Sequence, residues 1–132
     1  KHMKSHQKVN SLPGVEELTC KYYLGTNLNR MSRLFPEAYN FFPRTWHLPK
    51  DEIILKEEIR LHPHCFWICK PGFAAEGKGI YLVNKFEDID VACIDDDGSV
   101  NRYVVQRYIP RPLLVNGKKF DLRLYVMVRW EG

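Results

Sequence analysis

No run of about 18 apolar residues occurs in this sequence, so no segment reads as a membrane-crossing helix. The basic N-terminal residues lack the apolar stretch of a signal peptide. Together these absences make a soluble intracellular protein the expectation. The four cysteines, Cys20, Cys65, Cys69 and Cys93, include no Cys-x-x-Cys pair. A zinc centre can be drawn from His62, His64, Cys65 and Cys69, but its spacing fits no usual ligand pattern, and reduced core thiols are the better expectation. Asp95-Asp96-Asp97-Gly98 lacks the later ligands of a calcium loop and reads as an exposed acidic turn. No metal ligand is assigned within the chain.

What is present is an ordinary globular composition, 45% hydrophobic and 27% charged over 132 residues, which argues against wholesale disorder and for about one domain. The charge is uneven. Residues 1–50 carry a net +5, residues 51–99 a net −6 and residues 100–132 a net +5. Two basic segments around an acidic middle are compatible with an acidic partner, either nucleic acid or an acidic protein tail.

The chain divides into legible pieces. After Pro13-Gly14, apolar residues Val15, Leu18, Leu24, Leu28, Met31 and Leu34 recur at helical spacing, and Pro36 stops the helix. Gly25 costs such a helix about 1 kcal/mol relative to Ala, which makes a bend there an expectation. Residues 35–50 form a proline-punctuated aromatic connector with Phe35, Tyr39, Phe41, Phe42 and Trp46. It covers the core on one reading and offers stacking surfaces to single-stranded nucleic acid on another. Asp51 to Leu61 is an acidic amphipathic helix whose apolar residues are Ile53, Ile54, Leu55 and Ile59. Strands are expected at 65–70, 79–83 and 103–109, with a helical turn at 86–89 and a turn at Asn116-Gly117.

Gly72-Phe73-Ala74-Ala75-Glu76-Gly77-Lys78-Gly79 contains Gly-x-x-x-x-Gly-Lys, but the serine or threonine of a P-loop is replaced by Gly79. Ile80-Tyr81-Leu82-Val83 favours a strand where the P-loop needs a helix. The segment is then a flap between strands, either an anion-binding nest of backbone N–H groups or a plain hairpin tip. Lys70 ends the strand before it, with its stem beside Ile68, placed to reach whatever the flap covers. Gln106 leads the end of a later strand, where free backbone groups are available to read a base edge.

The stretch Gly117 to Arg129 alternates strictly. Phe120, Leu122, Leu124, Val126 and Val128 fall on one face of a strand, and Lys119, Asp121 and Arg123 on the other. That polar face is either a solvated row of paired charges or the wall of an anionic-ligand site.

Trp67-Ile68-Cys69-Lys70-Pro71, Gly77-Lys78-Gly79-Ile80, Val105-Gln106-Arg107-Tyr108-Ile109 and Lys119-Phe120-Asp121-Leu122-Arg123 resemble the tubulin tyrosine ligase-like family. Val9-Asn10-Ser11-Leu12-Pro13-Gly14, Asn27-Leu28-Asn29-Arg30-Met31 and Phe42-Pro43-Arg44-Thr45-Trp46-His47-Leu48-Pro49 are similar to its glutamylase branch, and the glycylase pattern is not seen. The resemblance implies an α/β (α+β) protein of the ATP-grasp fold. Residues 1–64 would be its N-terminal portion, 65–112 its central portion with the flap, and 113–132 the first strand of its C-terminal portion.

The implied activity is an ATP-dependent tubulin polyglutamylase, with magnesium, acting through an acyl phosphate that free glutamate attacks. The implied partners are tubulin tails and microtubules, with no nucleic acid and no membrane. The implied location is cytoplasm and cytoskeleton, extending to cilium or basal body. The alternative is an inactive microtubule or ciliary structural component that keeps the fold.

Carried over, Lys70 contacts ATP phosphates beneath a flap of Glu76, Gly77, Lys78 and Gly79. Gln106, Arg107, Tyr108 and Ile109 meet the adenine, the latter through their backbone. Lys119 and Asp121 bind nucleotide, Asp121 at the ribose, and Arg123 faces the γ-phosphate or acyl phosphate. Lys21 assists with phosphate or substrate. Two residues depart from the family pattern. Glu76 brings a negative charge toward phosphates, and Cys20 replaces a usual arginine. The family's magnesium ligands, an aspartate and a later Glu-x-Asn, and its amino-acid-binding arginine would lie past Gly132. By resemblance the chain is a piece of a longer protein and inactive alone.

Overall fold

Two helices follow the Pro13-Gly14 turn: α1 (Glu16–Thr19) and α2 (Lys21–Leu34). They belong to a computed structural model that describes residues 4, 7, 12–90 and 102–128. The expected bend at Gly25 is not there. The break falls at Cys20, which is extended at φ −79° and ψ 126°, and α2 runs unbroken through Gly25. Gly25 serves close packing. A Cβ at that position would stand 2.7 Å from Thr45 Cγ2 and 3.1 Å from His47 Nε2.

Thr45 and His47 belong to β1 (Thr45–Leu48), a strand inside the segment expected to be only a connector. Of that segment's aromatics, Trp46 alone enters the core, while Phe35 and Phe41 are exposed. The reason is period two. Trp46 and Leu48 point one way into apolar surroundings, and the prolines at 43 and 49 leave only five residues between them, four of which form the strand. Then come α3 (Glu52–Leu61), β2 (Trp67–Pro71), β3 (Tyr81–Val83), a 3₁₀ turn (Phe86–Asp88) and β4 (Tyr103–Arg107). The four strands form one antiparallel sheet in the order β1-β4-β2-β3. It takes β1 from the expected 1–64 portion and the other strands from the 65–112 portion, so the two share a sheet.

The sheet has two unlike faces. On one, Trp46, Leu48, Trp67, Cys69 and Val105 pack with Leu55 and Ile59 of α3. The indoles of Trp46 and Trp67 meet edge to face, 5.3 Å between ring centres. Only Leu55 and Ile59 of α3 are buried, because residues four apart share a helix face; Ile53 and Ile54 lie outside that stripe and are exposed. On the other face, α2 lies across Thr45 and His47 with Tyr22, Gly25 and Asn29. Leu18 of α1 and Leu34 at the end of α2 remain exposed, and Leu24 and Leu28 are half-buried. Val104 is buried on this face, but Thr45 and His47 are polar, and α2 meets them with hydrogen bonds. His47 Nε2 lies 3.0 Å from the Tyr22 carbonyl, and Asn29 Nδ2 donates to the Thr45 carbonyl at 2.6 Å.

After β4, β5 (Leu114–Val115) and β6 (Lys118–Lys119) form a hairpin around Asn116-Gly117. Both turn residues have positive φ, 51° and 73°, as the sequence dipeptide predicts for a two-residue loop. The long strand expected from Gly117 to Arg129 is shorter than its alternation suggests. Only Lys118 and Lys119 pair, and residues 120–128 lie outside any ladder. Leu122, Leu124 and Val126 are exposed, and Met127 is 94% exposed. β5 is only two residues long, since Pro110 and Pro112 just before it carry no N–H for pairing. Past Leu114 the alternating stretch has no neighbouring strand among the described residues to bury against. The acidic turn at 95–98, Cys93, Val9, Asn10, Ser11 and Arg129 lie outside the described residues. Among the described residues, no helix is long and apolar enough to cross a membrane.

Candidate functional site

The polar face of the sheet carries Lys70 near the end of β2. Its neighbours alternate with it, so Trp67 and Cys69 enter the core while Lys70 is half-buried on the opposite side. Across the sheet, Gln106 of β4 lies opposite both Ile68 of β2 and Thr45 of β1. Lys70 Nζ donates to Gln106 Oε1 at 2.8 Å. Gln106 Nε2 donates to Thr45 Oγ1 at 2.8 Å. Burial, and then the charge of Lys21, push the Lys70 pKa below its ordinary value of 10.5. Two ammonium groups thus share one neighbourhood, which is costly without an anion between them.

Lys21 sits at the first position of α2 and donates to the Ala74 carbonyl in the flap. The root of the flap is fastened to the same helix. Phe73 stacks on Tyr22 with ring centres 6.2 Å apart and meets Tyr23 edge-on at 5.9 Å, while the Cys20 thiol contacts the Gly72 carbonyl at 3.4 Å. Gly72 is required by packing here. A Cβ would come within 2.8 Å of the Arg102 carbonyl, to which Gly72 N–H donates. Further out, Glu76, Gly77 and Gly79 all have positive φ, at 58°, 74° and 68°. These conformations make two tight turns, in which Lys78 N–H donates to the Ala75 carbonyl at 3.2 Å and Ile80 N–H to the Gly77 carbonyl at 3.4 Å. Glu76 pairs with Lys78 at 3.2 Å, which offsets the charge it brings to the flap, although both groups are largely exposed.

The remaining expected site residues are more scattered. Arg107 turns to Cys65, with Nη2 2.6 Å from Sγ, away from the Lys70 face. Tyr108 N–H donates to the Phe66 carbonyl at 2.8 Å, so the ladder-like bonding runs one residue past β4 and Ile109 follows outside it. Lys119 lies over the Tyr108 ring at 5.8 Å, which ties the β5–β6 hairpin to the end of β4. Asp121 and Arg123 are exposed in the unpaired segment after β6 and are not brought against Lys70 among the described residues.

Sequence reasoning did not single out Thr45, Asn29 or Tyr22 as parts of the site. Thr45 and Asn29 stand inside quoted motif strings, but nothing in their spacing announces a bond between them.

For a nucleotide, the residues present fit the phosphate end: two lysines and a polar amide beside the root of a glycine flap. For a metal ion they do not. No cluster of three or more His, Cys, Asp or Glu side chains able to hold one exists among the described residues. A cavity of about 390 Å³ lies between α2 and β1 and is lined by Tyr22, Asn29, Arg33, Arg44 and Lys50 among others. Lys70 is not part of its lining, and the chemistry of Lys70 is the stronger guide to a phosphate site.

Comparison with known proteins follows the same direction. The profile described as Tubulin-tyrosine ligase family matches residues 1–131. The tubulin polyglutamylase ttll6 of Danio rerio is 41% identical over 126 residues, covering 96% of this chain and 15% of the relative. A probable beta-tubulin polyglutamylase of Tetrahymena thermophila is 39% identical over 129 residues, covering 96% and 10%. The tubulin monoglutamylase TTLL4 of Mus musculus is 36% identical over 136 residues, covering 96% and 11%. This chain thus spans a small fraction of the length of these relatives. It belongs to the tubulin-tyrosine ligase family.

Proposed function

We propose that this chain carries the phosphate-binding part of an ATP-dependent glutamate ligase of the ATP-grasp type, acting on tubulin tails. The observation that carries the reading is Lys70, a half-buried ammonium held by Gln106 and near Lys21, on the strand that leads into the glycine flap. The names of the relatives, tubulin polyglutamylases of several organisms, support tubulin as substrate and the cytoskeleton as location. The basic segments at both ends of the chain suit an acidic tail.

The chemistry requires ATP because a carboxylate has no leaving group. Transfer of the γ-phosphoryl group to a glutamate side chain of the acceptor gives an acyl phosphate. The amine of free glutamate then displaces phosphate and forms the amide. Little covalent work falls to the protein, and catalysis is positioning with charge neutralisation. Lys70 and Lys21 offset phosphate charge, the flap from Glu76 to Gly79 closes over it, and Gln106 to Ile109 border the base. Lys119 and Asp121 line the nucleotide on its other side, and Arg123 faces the transferring group. Magnesium would supply further neutralisation, and none of its ligands is assigned to this chain.

The test is titration of the full-length protein with ATP, together with incorporation of labelled glutamate into tubulin. Lys70→Ala is expected to abolish nucleotide binding. Absence of both binding and incorporation in the unmodified protein would overturn the ligase reading in favour of a structural microtubule component.

A further inference from the structure

Gln106 can hold Lys70 in only one of its two amide orientations. An ammonium only donates, so the side-chain oxygen must face Lys70 and the NH₂ must face away. The NH₂ meets Thr45 Oγ1 at 2.8 Å and the Pro43 carbonyl at 3.5 Å. Thr45 Oγ1 accepts that bond because its own hydrogen is directed to the Pro43 carbonyl at 3.4 Å. Lys70, Gln106, Thr45 and Pro43 therefore form one donor-to-acceptor chain with a single consistent direction.

Thr45 is itself held firmly. It is 2% exposed, its methyl lies against Gly25, and its backbone is bracketed by Asn29. Asn29 donates to the Thr45 carbonyl at 2.6 Å and accepts from its N–H at 3.4 Å. Without the Thr45 hydroxyl, the Gln106 NH₂ keeps only the long contact to Pro43, and its rotation would set two donors, NH₂ and NH₃⁺, against each other.

We propose that Thr45 is a positioning residue that fixes the Gln106 amide so that its oxygen holds the Lys70 ammonium where phosphate binds. The proposal rests on the phosphate-binding role of Lys70 given above. Its action is indirect, through orientation, since no bond joins Thr45 to Lys70. Valine is close to threonine in shape and keeps the methyl that packs on Gly25, so Thr45→Val removes the acceptor with little change in packing.

The experiment is ATP titration of the full-length protein and its Thr45→Val, Thr45→Ser, Gln106→Leu, Thr45→Val/Gln106→Leu and Lys70→Ala variants, with melting curves for each. Thr45→Val is expected to weaken ATP binding about five- to tenfold, the scale of one hydrogen bond. Thr45→Ser, which keeps the hydroxyl, is expected to stay within about twofold of the unmodified protein. In the Gln106→Leu background, Thr45→Val should have no further effect, because no amide remains to orient.

Thr45→Val at unmodified affinity, or an equal loss with and without Gln106, would overturn the proposal. If Thr45→Val fails to fold, Thr45→Ala takes its place in the same cycle, and Thr45→Ser still reads the hydroxyl alone. The two levels fail differently. Lys70→Ala at full affinity removes the phosphate site itself, whereas Lys70→Ala without binding beside an unaffected Thr45→Val removes only the positioning role.

Discussion

The two faces of the four-stranded sheet are built from alternate residues of the same strands, yet they obey different rules. On the α3 side, Trp46, Leu48, Trp67, Cys69 and Val105 close a dry core. On the α2 side, directed hydrogen bonds join Thr45, Gln106 and Lys70 and tie His47 to the Tyr22 carbonyl. Apolar contact is non-directional and tolerates small shifts, while each polar bond fixes an orientation. The α3 face thus contributes most of the stability, and the α2 face spends burial on holding a charge.

The largest expected effect belongs to the dry face. Trp67→Ala removes a fully buried indole and should cost about 3–5 kcal/mol in urea unfolding. A loss of under about 1 kcal/mol would contradict the assignment of the core to this side. Gly25→Ala comes next and tests whether the α2 face is as tightly registered as its bonds imply. The added methyl must displace Thr45 Cγ2 or His47, with an expected cost of about 1–3 kcal/mol and weaker ATP binding. Loss of stability without any change in affinity would separate the helix contact from the site.

Lys70→Met sharpens the contrast through pH. Burial and Lys21 depress the Lys70 pKa, so the charged form is disfavoured in the folded state, and the penalty is fully present below the folded pKa. As pH rises from there toward 10.5, the folded protein sheds its proton before the unfolded chain does, and stability recovers. The variant should therefore bind no ATP yet be at least as stable near pH 7. The difference in urea midpoint from the unmodified protein should shift in favour of the latter as pH approaches 10.5.

The smallest effect is chemical. Burial pushes the Cys69 thiol up to about 11, against a smaller opposing hydrogen bond from Tyr81. Maleimide labelling near pH 7.5, read by peptide mass spectrometry, should reach the half-exposed Cys20 and Cys65 and spare Cys69. Equal labelling of all three would mean that the dry face opens readily.

Local patterns made much of this legible. The helices at 16–34 and 52–61, the strands around Lys70 and Gln106, and the Asn116-Gly117 turn follow from spacing and turn chemistry in the sequence. Trp46 and Leu48 did not announce β1, because a four-residue strand carries too little period to stand out. The stretch after Lys119 misled in the opposite sense. Its alternation is real, but alternation states only which residues share a face, and a ladder also needs a partner. At the site, Lys70 and Gln106 were visible as strand-end polar residues. Thr45 and Asn29 were not, since the bonds that matter span residues 16 and 61 positions apart. The buried face of α2 was misread for a related reason. A search for leucines overlooks a helix that packs through glycine and amide groups.

Asn29 has one more effect, which concerns neighbours rather than ligands. β1 is one of the two outer strands of the sheet, and the backbone groups of Thr45 and His47 are bonded outside the β1–β4 ladder. Asn29 takes both groups of Thr45. Asp51 takes both groups of His47, accepting from its N–H at 2.8 Å and donating to its carbonyl at 2.7 Å. Two side-chain and backbone clamps thus occupy the places where a fifth strand would bind. An exposed row of such groups would be a template for aggregation with other chains. On this margin the protein is sealed against its own kind, and the sheet ends because its bonds are already used.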